Sequence, residues 1–246
     1  MKNKNNPPKP ITQLFIWAAH TFAEEFNSRY LEFLWHSLML SGLSAFLICS
    51  ISILMIYSAR RYPSLFSRIA IRFATIGYAL PGVVLAVGIY IPLAWVDSWV
   101  NQTVMKLFSI EIGFLFQGTF IVMLIAYMTR FMAVGYNPIN SAMQRITLSI
   151  DEVAMGLGIS GWSMLKKIHL PILKGGILTA TILVFVDIMK EMPITLMTRP
   201  FGWDTLSIRI FEMTSEGQWE QAALPAVVLV LTGLIPIVLL TRQVEK

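Results

Sequence analysis

The sequence predicts an all-α, polytopic transmembrane helical bundle, and three observations carry that prediction. Of its 246 residues, 56% are hydrophobic and only 13% charged, about half the charged share of a soluble domain. The mean hydropathy is +0.66. The apolar residues also come in blocks rather than in alternation. Several blocks reach the ~20 residues needed to cross a hydrocarbon core of about 30 Å.

Taken in order, a polar leader over Asn5–Pro10 precedes a short apolar stretch, Ile11–Phe22. At 1.5 Å per residue that stretch gives about 18 Å of helix, too short to cross comfortably. It lacks the small-residue cleavage site of a signal peptide and reads as the trailing end of a span whose beginning is missing. Five full spans follow: Ser37–Ser58, Thr75–Val96, Phe114–Ala133, Gly176–Met197 and Ala222–Leu240. The second is interrupted by Gly77, Pro81-Gly82, Gly88 and Pro92, which predicts a bent helix whose freed backbone groups are re-satisfied by neighbours. The organisation is therefore residues 1–32 as leader and partial span, and residues 33–242 as one membrane domain.

The loops set the orientation. Arg60, Arg61, Arg68 and Arg72 follow the first full span without an acidic residue, and Arg130, Arg145, Lys166, Lys167 and Lys174 lie between the third and fourth. The second-to-third loop has Lys106 alone, and the fourth-to-fifth carries Asp204, Glu212 and Glu216 against Arg199 and Arg209. The positive-inside rule puts the first, third and C-terminal connections in the cytoplasm. The formal charge of +5 thus follows membrane topology and gives no support to nucleic-acid binding. Residues 24–32 fall outside on this count, while Lys2, Lys4 and Lys9 look cytoplasmic. Cys49, the lone cysteine, can form no intramolecular disulfide and reads as a small apolar helix residue.

The segment Ser141–Lys174 is too polar for lipid and too patterned for a loop. Val153, Leu157, Ile159, Trp162 and Leu165 make a helical stripe. Gly156, Gly158 and Gly161 interrupt it, each costing about 1 kcal/mol in a helix relative to Ala, so they predict a turn between two short helices lying along the membrane. Pro171 is expected to mark a break before the fourth span. His169 reads as a polar-face residue, not a ligand, and His20, His36 and His169 have no metal-ligand spacing.

Within this segment Glu152, Ala154, Gly158, Ile168, Leu170 and Pro171 have the spacing Glu-X-Ala, three residues, Gly, nine residues, Ile-X-Leu-Pro. That pattern resembles the motif of permease subunits of binding-protein-dependent ABC importers, of the type I, methionine-permease-like fold. It departs at Val153, where a second alanine is usual. The resemblance implies that these six residues build a coupling helix docking in a cleft of a partner ATPase. It extends over Leu34–Arg242 and narrows at Gly77-Tyr78-Ala79-Leu80-Pro81-Gly82, at Lys190–Leu196, at Arg199–Leu206 and at Glu220–Pro225. There the chain is similar to the C-terminal half of ferric-iron permeases, which fuse two such halves.

The resemblance further implies an ABC ATPase dimer, a second permease half, identical or different, and a periplasmic or external substrate-binding protein as partners. It also implies a multi-pass location in a bacterial inner membrane, with a cytoplasmic C-terminus. No cofactor is expected on this chain; ATP and Mg2+ belong to the partner, because the sequence has no Gly-x-x-x-x-Gly-Lys-Ser/Thr phosphate loop. No nucleophile, base and orienter can be assembled on one side of the membrane, so the chain is not expected to be an enzyme.

Two other groups are candidate sites. In the fourth span Asp187, about 16 Å from Gly176 along the helix, can reach Lys190 at i+3 and Glu191 at i+4. Charges at that depth face a bundle interior or a water-filled route; they line a translocation path or form an internal ion pair that locks packing. Arg199, Asp204, Arg209 and Glu212 sit in the external segment that the resemblance places against the binding protein, although a solvated loop also fits, with Trp203 and Trp219 as interface anchors. Thiamine, sulfate, molybdate and polyamine permeases share the core, so the ferric reading has alternatives within the class. An ion-coupled secondary transporter and a non-transporting remnant of a split permease are the alternatives outside it.

Overall fold

The computed structural model describes residues 10–110 and 113–244. Among them every regular element is helical: α1 (Pro10–Glu25), α2 (Ser28–Arg61), α3 (Leu65–Thr75), a 3-10 turn (Ile76–Ala79), α4 (Gly82–Phe108), α5 (Phe120–Gln144), α6 (Leu148–Gly156), α7 (Gly161–Met164), a π-helical turn (Leu165–His169), α8 (Leu170–Met189), α9 (Pro193–Thr198), α10 (Leu206–Ser215) and α11 (Ala223–Val244). Among the described residues, four helices are long and apolar enough to cross a membrane: Ser28–Arg61, Gly82–Phe108, Phe120–Gln144 and Gly161–Met189, with a shorter apolar helix over Ala223–Val238. All five expected spans therefore fall on helices, and the leader, apart from Pro10, lies outside the described residues.

The bundle is built around α5, which packs against α2 and α8. Its core joins Ala45 and Ile48 of α2, Met123, Ala126, Tyr127 and Phe131 of α5, and Val184 and Ile188 of α8. A second cluster continues toward the basic loops through Cys49, Ile56, Ile139, Leu173 and Ala180. Cys49 is buried there as expected, with the Thr181 hydroxyl donating to its Sγ at 3.5 Å. The short α1 packs along α11, closing a third cluster of Ala18, Tyr30, Leu206, Ala223 and Leu224.

Several boundaries differ from expectation, each for a physical reason. The second span begins at Gly82, not Thr75, because Leu80 precedes a proline and takes an extended conformation (φ −86°, ψ 142°). Thr75–Ala79 belong instead to the end of α3 and the 3-10 turn. Pro92 remains inside α4. The third span begins at Phe120 rather than Phe114, because the loop before it wraps a carboxylate. Asp97, 1% exposed, accepts the N–H groups of Leu115, Phe116 and Gln117 at 2.8–3.0 Å through its two oxygens.

The expected break at Pro171 is absent: the helix runs without interruption from Gly161 to Met189. Pro171 lacks an N–H and its ring would clash with the carbonyl four residues back. The π turn relieves that conflict by widening the helix just before it, with the Leu170 N–H donating to Leu165 O. The actual break comes at Lys190–Met192, inside the expected fourth span, and α9 resumes at Pro193.

Candidate functional site

The segment that carries the motif folds as two short helices joined by a turn. α6 ends in a Schellman cap: the Ile159 N–H donates to Ala154 O at 2.9 Å and the Gly158 N–H to Met155 O at 3.0 Å. The cap requires Gly158 to sit at φ +76°, the left-handed region that side chains disfavour by about 1–2 kcal/mol. Ala154 is 3% exposed behind the cap. The stripe Val153, Leu157 and Trp162 faces outward, at 64%, 74% and 55% exposure, while Leu165 alone of that set is buried. A shallow apolar groove of about 340 Å³ runs along this face, lined by Ile150, Val153, Ala154, Leu157, Ile159 and Ile168. Of the six motif residues, Ala154 and Ile168 line the groove, Gly158 shapes the turn, Glu152 and Pro171 are exposed, and Leu170 is half-buried.

What holds α6 in place is a residue outside the motif. Asp151 accepts from Arg60 Nε at 2.7 Å and from His169 Nε2 at 2.9 Å. Arg60 caps the end of α5 at the same time, donating to the carbonyls of Met143, Ile146 and Thr147 at 3.3, 2.9 and 3.2 Å. The Tyr57 hydroxyl donates to Gly161 O at 2.7 Å, and its ring meets His169 edge-on at 5.6 Å between centroids. One carboxylate thus ties α6 to α2 and to the π turn. Burial raises the Asp151 carboxyl, but the hydrogen bonds from Arg60 and His169 outweigh it and hold the group below its ordinary value.

His169 is not on a polar face: it is 1% exposed. An ionised carboxylate only accepts, so Nε2 carries the proton, while Nδ1 is buried with no hydrogen-bond partner among the described residues. Sequence reasoning passed over Asp151 and Arg60. The available signal was an acid at the start of an amphipathic segment opposite an arginine at the end of a span.

The second candidate group is divided by the helix break. Asp187 does pair with Lys190, at 2.8 Å, and the Tyr78 hydroxyl approaches its other oxygen at 3.4 Å. Glu191 does not join them. Because α8 stops at Met189, the i+4 relation is lost and Glu191, 7% exposed, turns to Arg130 of α5, with Oε2 3.4 Å from Nε. That separation makes an ion pair, but the alignment leaves Arg130 Nε without a hydrogen bond. Arg130 Nη1 donates to Leu80 O at 2.6 Å, and Glu191 Oε1 accepts the Ile194 N–H at 3.3 Å, at the start of α9. The pair therefore bridges two interrupted helices, and Gly82 leaves room for it: a Cβ there would lie 2.8 Å from Glu191 Oε1.

The third group assembles around Arg199, which pairs with Asp204 and, at 3.3 Å, with Glu212. Arg209 stands apart from this network, lining a cavity with Arg29 and Tyr30. Trp203 is not a free anchor, since it stacks on His36 at 3.9 Å between centroids and meets Phe120 edge-on at 4.2 Å. Trp219 remains 60% exposed.

Comparison with known proteins now bears on this arrangement. Residues 51–246 match the family described as binding-protein-dependent transport system inner membrane component. The chain belongs to that family. It is 28% identical over 240 residues to the Fe(3+)-transport system permease protein FbpB 2 of Haemophilus influenzae, covering 96% of this chain and 44% of that one. It is 31% identical over 129 residues to PhnV of Salmonella typhimurium, provisionally assigned as a 2-aminoethylphosphonate transport system permease, covering 52% of this chain and 49% of the relative. This family member thus spans about half the length of the curated relatives it matches.

The same fold occurs in solved transporters. A bacterial alginate ABC transporter in complex with an alginate-bound periplasmic protein gives a TM-score of 0.72 at 17% identity, covering 96% of this chain and 88% of that one. The methionine ABC transporter MetNI, in inward-facing conformations, gives 0.61 at 15% identity, covering 88% and 94%.

Proposed function

We propose that this family member is the permease component of an ATP-driven ABC importer. It works with an ATPase dimer, a second permease half and an external binding protein, and its C-terminus is cytoplasmic. The observation that carries the reading is the exposed apolar face of α6, backed by the clasp at Asp151. Such a face on a polar segment is costly to leave in water and is suited to docking in a cleft of a partner. ATP and Mg2+ act on that partner. Closure of the ATPase dimer moves α6, and Asp151 passes the motion to α2 through Arg60 and to α8 through His169. The permease itself supplies coupling and a path.

Ferric iron is the substrate best supported, because the similarity to the Fe(3+) permease runs over 96% of the chain. An aminoalkylphosphonate is the second reading, favoured by the higher identity to PhnV over a shorter stretch. Co-expression with a candidate ATPase, second permease half and binding protein, followed by vesicle uptake of each substrate, tests the proposal. ATP-dependent uptake of one of them is expected. Uptake that follows an ion gradient instead would replace it with a secondary-transport mechanism.

Leu157→Glu is expected to abolish co-purification of the ATPase with little effect on the fold, since Leu157 is 74% exposed. In this reading Asp187 and Lys190 line the path, and Arg199, Asp204 and Glu212 form part of the surface that meets the binding protein. Asp187→Asn should leave assembly intact and lower transport.

A further inference from the structure

The helix that follows α2, α3 (Leu65–Thr75), presents a face that no described residue covers. It is a well-started helix: Ser64 Oγ accepts the Ser67 N–H at 3.1 Å, and Ser67 Oγ accepts the Ser64 N–H at 3.2 Å. One side packs inward, with Ala74 against the core cluster that contains Phe131 and Ile71 against the one that contains Ile139. At ~100° per residue, Leu65, Ile69, Phe73 and Phe66 share an arc of roughly 100° on the side turned away from Ala74 and Ile71. Leu65, Phe66 and Phe73 are 72%, 81% and 74% exposed.

Two arginines border that face. Arg68 and Arg72, both exposed, lie one turn apart and next to Leu65 and Ile69 around the helix. Neither makes an ion pair with any described residue. Their surroundings hold no carboxylate that could supply one. α3 packs on α5, on α2 and on the 3-10 turn; α5 has no Asp or Glu, and none occurs between Glu32 and Asp97. The neighbouring Arg60 is held by Asp151, and Arg61 shares a cavity with Glu152. The face therefore carries two guanidiniums and no opposing group.

Position selects the occupant. α3 starts at the basic end of α2 and climbs beside α5 until the 3-10 turn meets it, where a Cβ on Gly77 would overlap Thr129 O at 2.1 Å. Water alone would leave the aromatic rings unburied, and hydrocarbon alone would leave the guanidiniums without a counterion. An anionic phospholipid meets both needs. We propose that the α3 face binds such a lipid, its phosphate held by Arg68 and Arg72 and an acyl chain lying along Leu65, Ile69 and Phe73. Guanidinium forks offer paired N–H donors that match a phosphate. The proposal rests on the family's membrane location and not on the substrate or on ATPase docking.

The test uses the full chain in a mild detergent, with lipid binding read by native mass spectrometry, so its outcome is separate from that of the transport assay. Dioleoylphosphatidylglycerol is expected to bind about twentyfold more tightly than dioleoylphosphatidylcholine, because each arginine near an anionic headgroup contributes about fivefold. Arg68→Gln and Arg72→Gln should each lower that preference about fivefold, and the double variant should nearly abolish it. Phe66→Ala/Phe73→Ala should weaken both lipids alike and keep their ratio. Arg209→Gln, toward the other end of α2, should leave the preference unchanged. Both arginines are exposed, so the double variant should melt in detergent as the wild type does. No preference for the anionic lipid in the wild type, or an undiminished one in the double variant, would overturn the assignment. If the double variant binds both lipids as the wild type does but no longer co-purifies with a co-expressed ATPase or second permease half, the face belongs to a protein and the lipid assignment falls.

Discussion

Asp151 Oδ1 lies 2.9 Å from Nε2 of His169, eighteen residues later in the chain, so α6 and the π turn are joined directly. The other oxygen holds Arg60 at 2.7 Å. Asp151→Ala removes both bonds and leaves Arg60 and His169 facing each other without their acceptor. The expected outcome is a loss of about 3 kcal/mol, the range for breaking a largely buried ion pair. Faster hydrogen exchange over residues 148–160 should accompany it. Unchanged exchange there would show that the groove face is held by other contacts.

The same carboxylate predicts a pH dependence. Its folded pKa is depressed by Arg60 and His169, so its contribution to stability is complete above the ordinary carboxylate range and is lost as pH falls through the lowered value. The wild type should therefore lose more stability than Asp151→Asn on acidification below about pH 4. The difference between the two should be constant between pH 5 and 7 as far as Asp151 is concerned. Melts of both proteins across that range measure it.

Two nearby glycines should respond in opposite directions. Gly158 sits at φ +76° with nothing within 4 Å of an added Cβ, so Gly158→Ala meets no steric obstacle and is penalised only by its backbone. A destabilisation of about 1–2 kcal/mol is expected. Gly156 has the same open surroundings but is the last residue of α6, so Gly156→Ala should stabilise by up to about 0.5 kcal/mol, the low end of the range for a helix interior. Chemical denaturation of the two variants separates these signs.

Glu191→Gln tests the bridge between the broken helices. It removes the countercharge from Arg130 in a site where Glu191 is 7% exposed, and a loss of about 3–5 kcal/mol is expected. Gly82→Ala should reproduce part of that loss by pushing on Glu191 Oε1, which a Cβ would approach to 2.8 Å. If the two effects simply add in the double variant, the glycine does not act through the ion pair.

Asp97→Asn probes the loop before α5. The amide keeps one accepting oxygen where the carboxylate uses two for three backbone N–H groups. A loss of about 2 kcal/mol and earlier proteolytic cleavage within residues 113–119 are expected.

Much of the fold was legible because long apolar blocks report membrane spans directly, and the five expected from hydropathy all fall on helices. Their ends were less legible. Phe114–Phe116 are as apolar as a helix start, and only the folded chain brings Asp97 to their N–H groups. Pro171 carried the usual sign of a helix break, but the π turn absorbed it, an option that residue type does not reveal. The motif from Glu152 to Pro171 was visible through its resemblance to a known family pattern, whereas Asp151 and Arg60, ninety-one residues apart, become partners only through the packing of α2 beside α5. Asp187 and Lys190 were paired correctly from helical spacing, and Glu191 was not, because the spacing rule assumes a helix that ends two residues earlier.

The π turn at Leu165–His169 also fixes an angle. An extra residue in one turn advances every preceding side chain by about 100° relative to an uninterrupted α-helix. Trp162 and Met164 therefore point where they do because of a phase offset inserted five residues upstream of Leu170. Deleting a single residue there would leave composition and hydropathy nearly unchanged and still swing the start of the helix by more than a quarter of a revolution. The azimuth of the exposed face of this segment is thus encoded in the number of residues in that turn, independently of which residues they are.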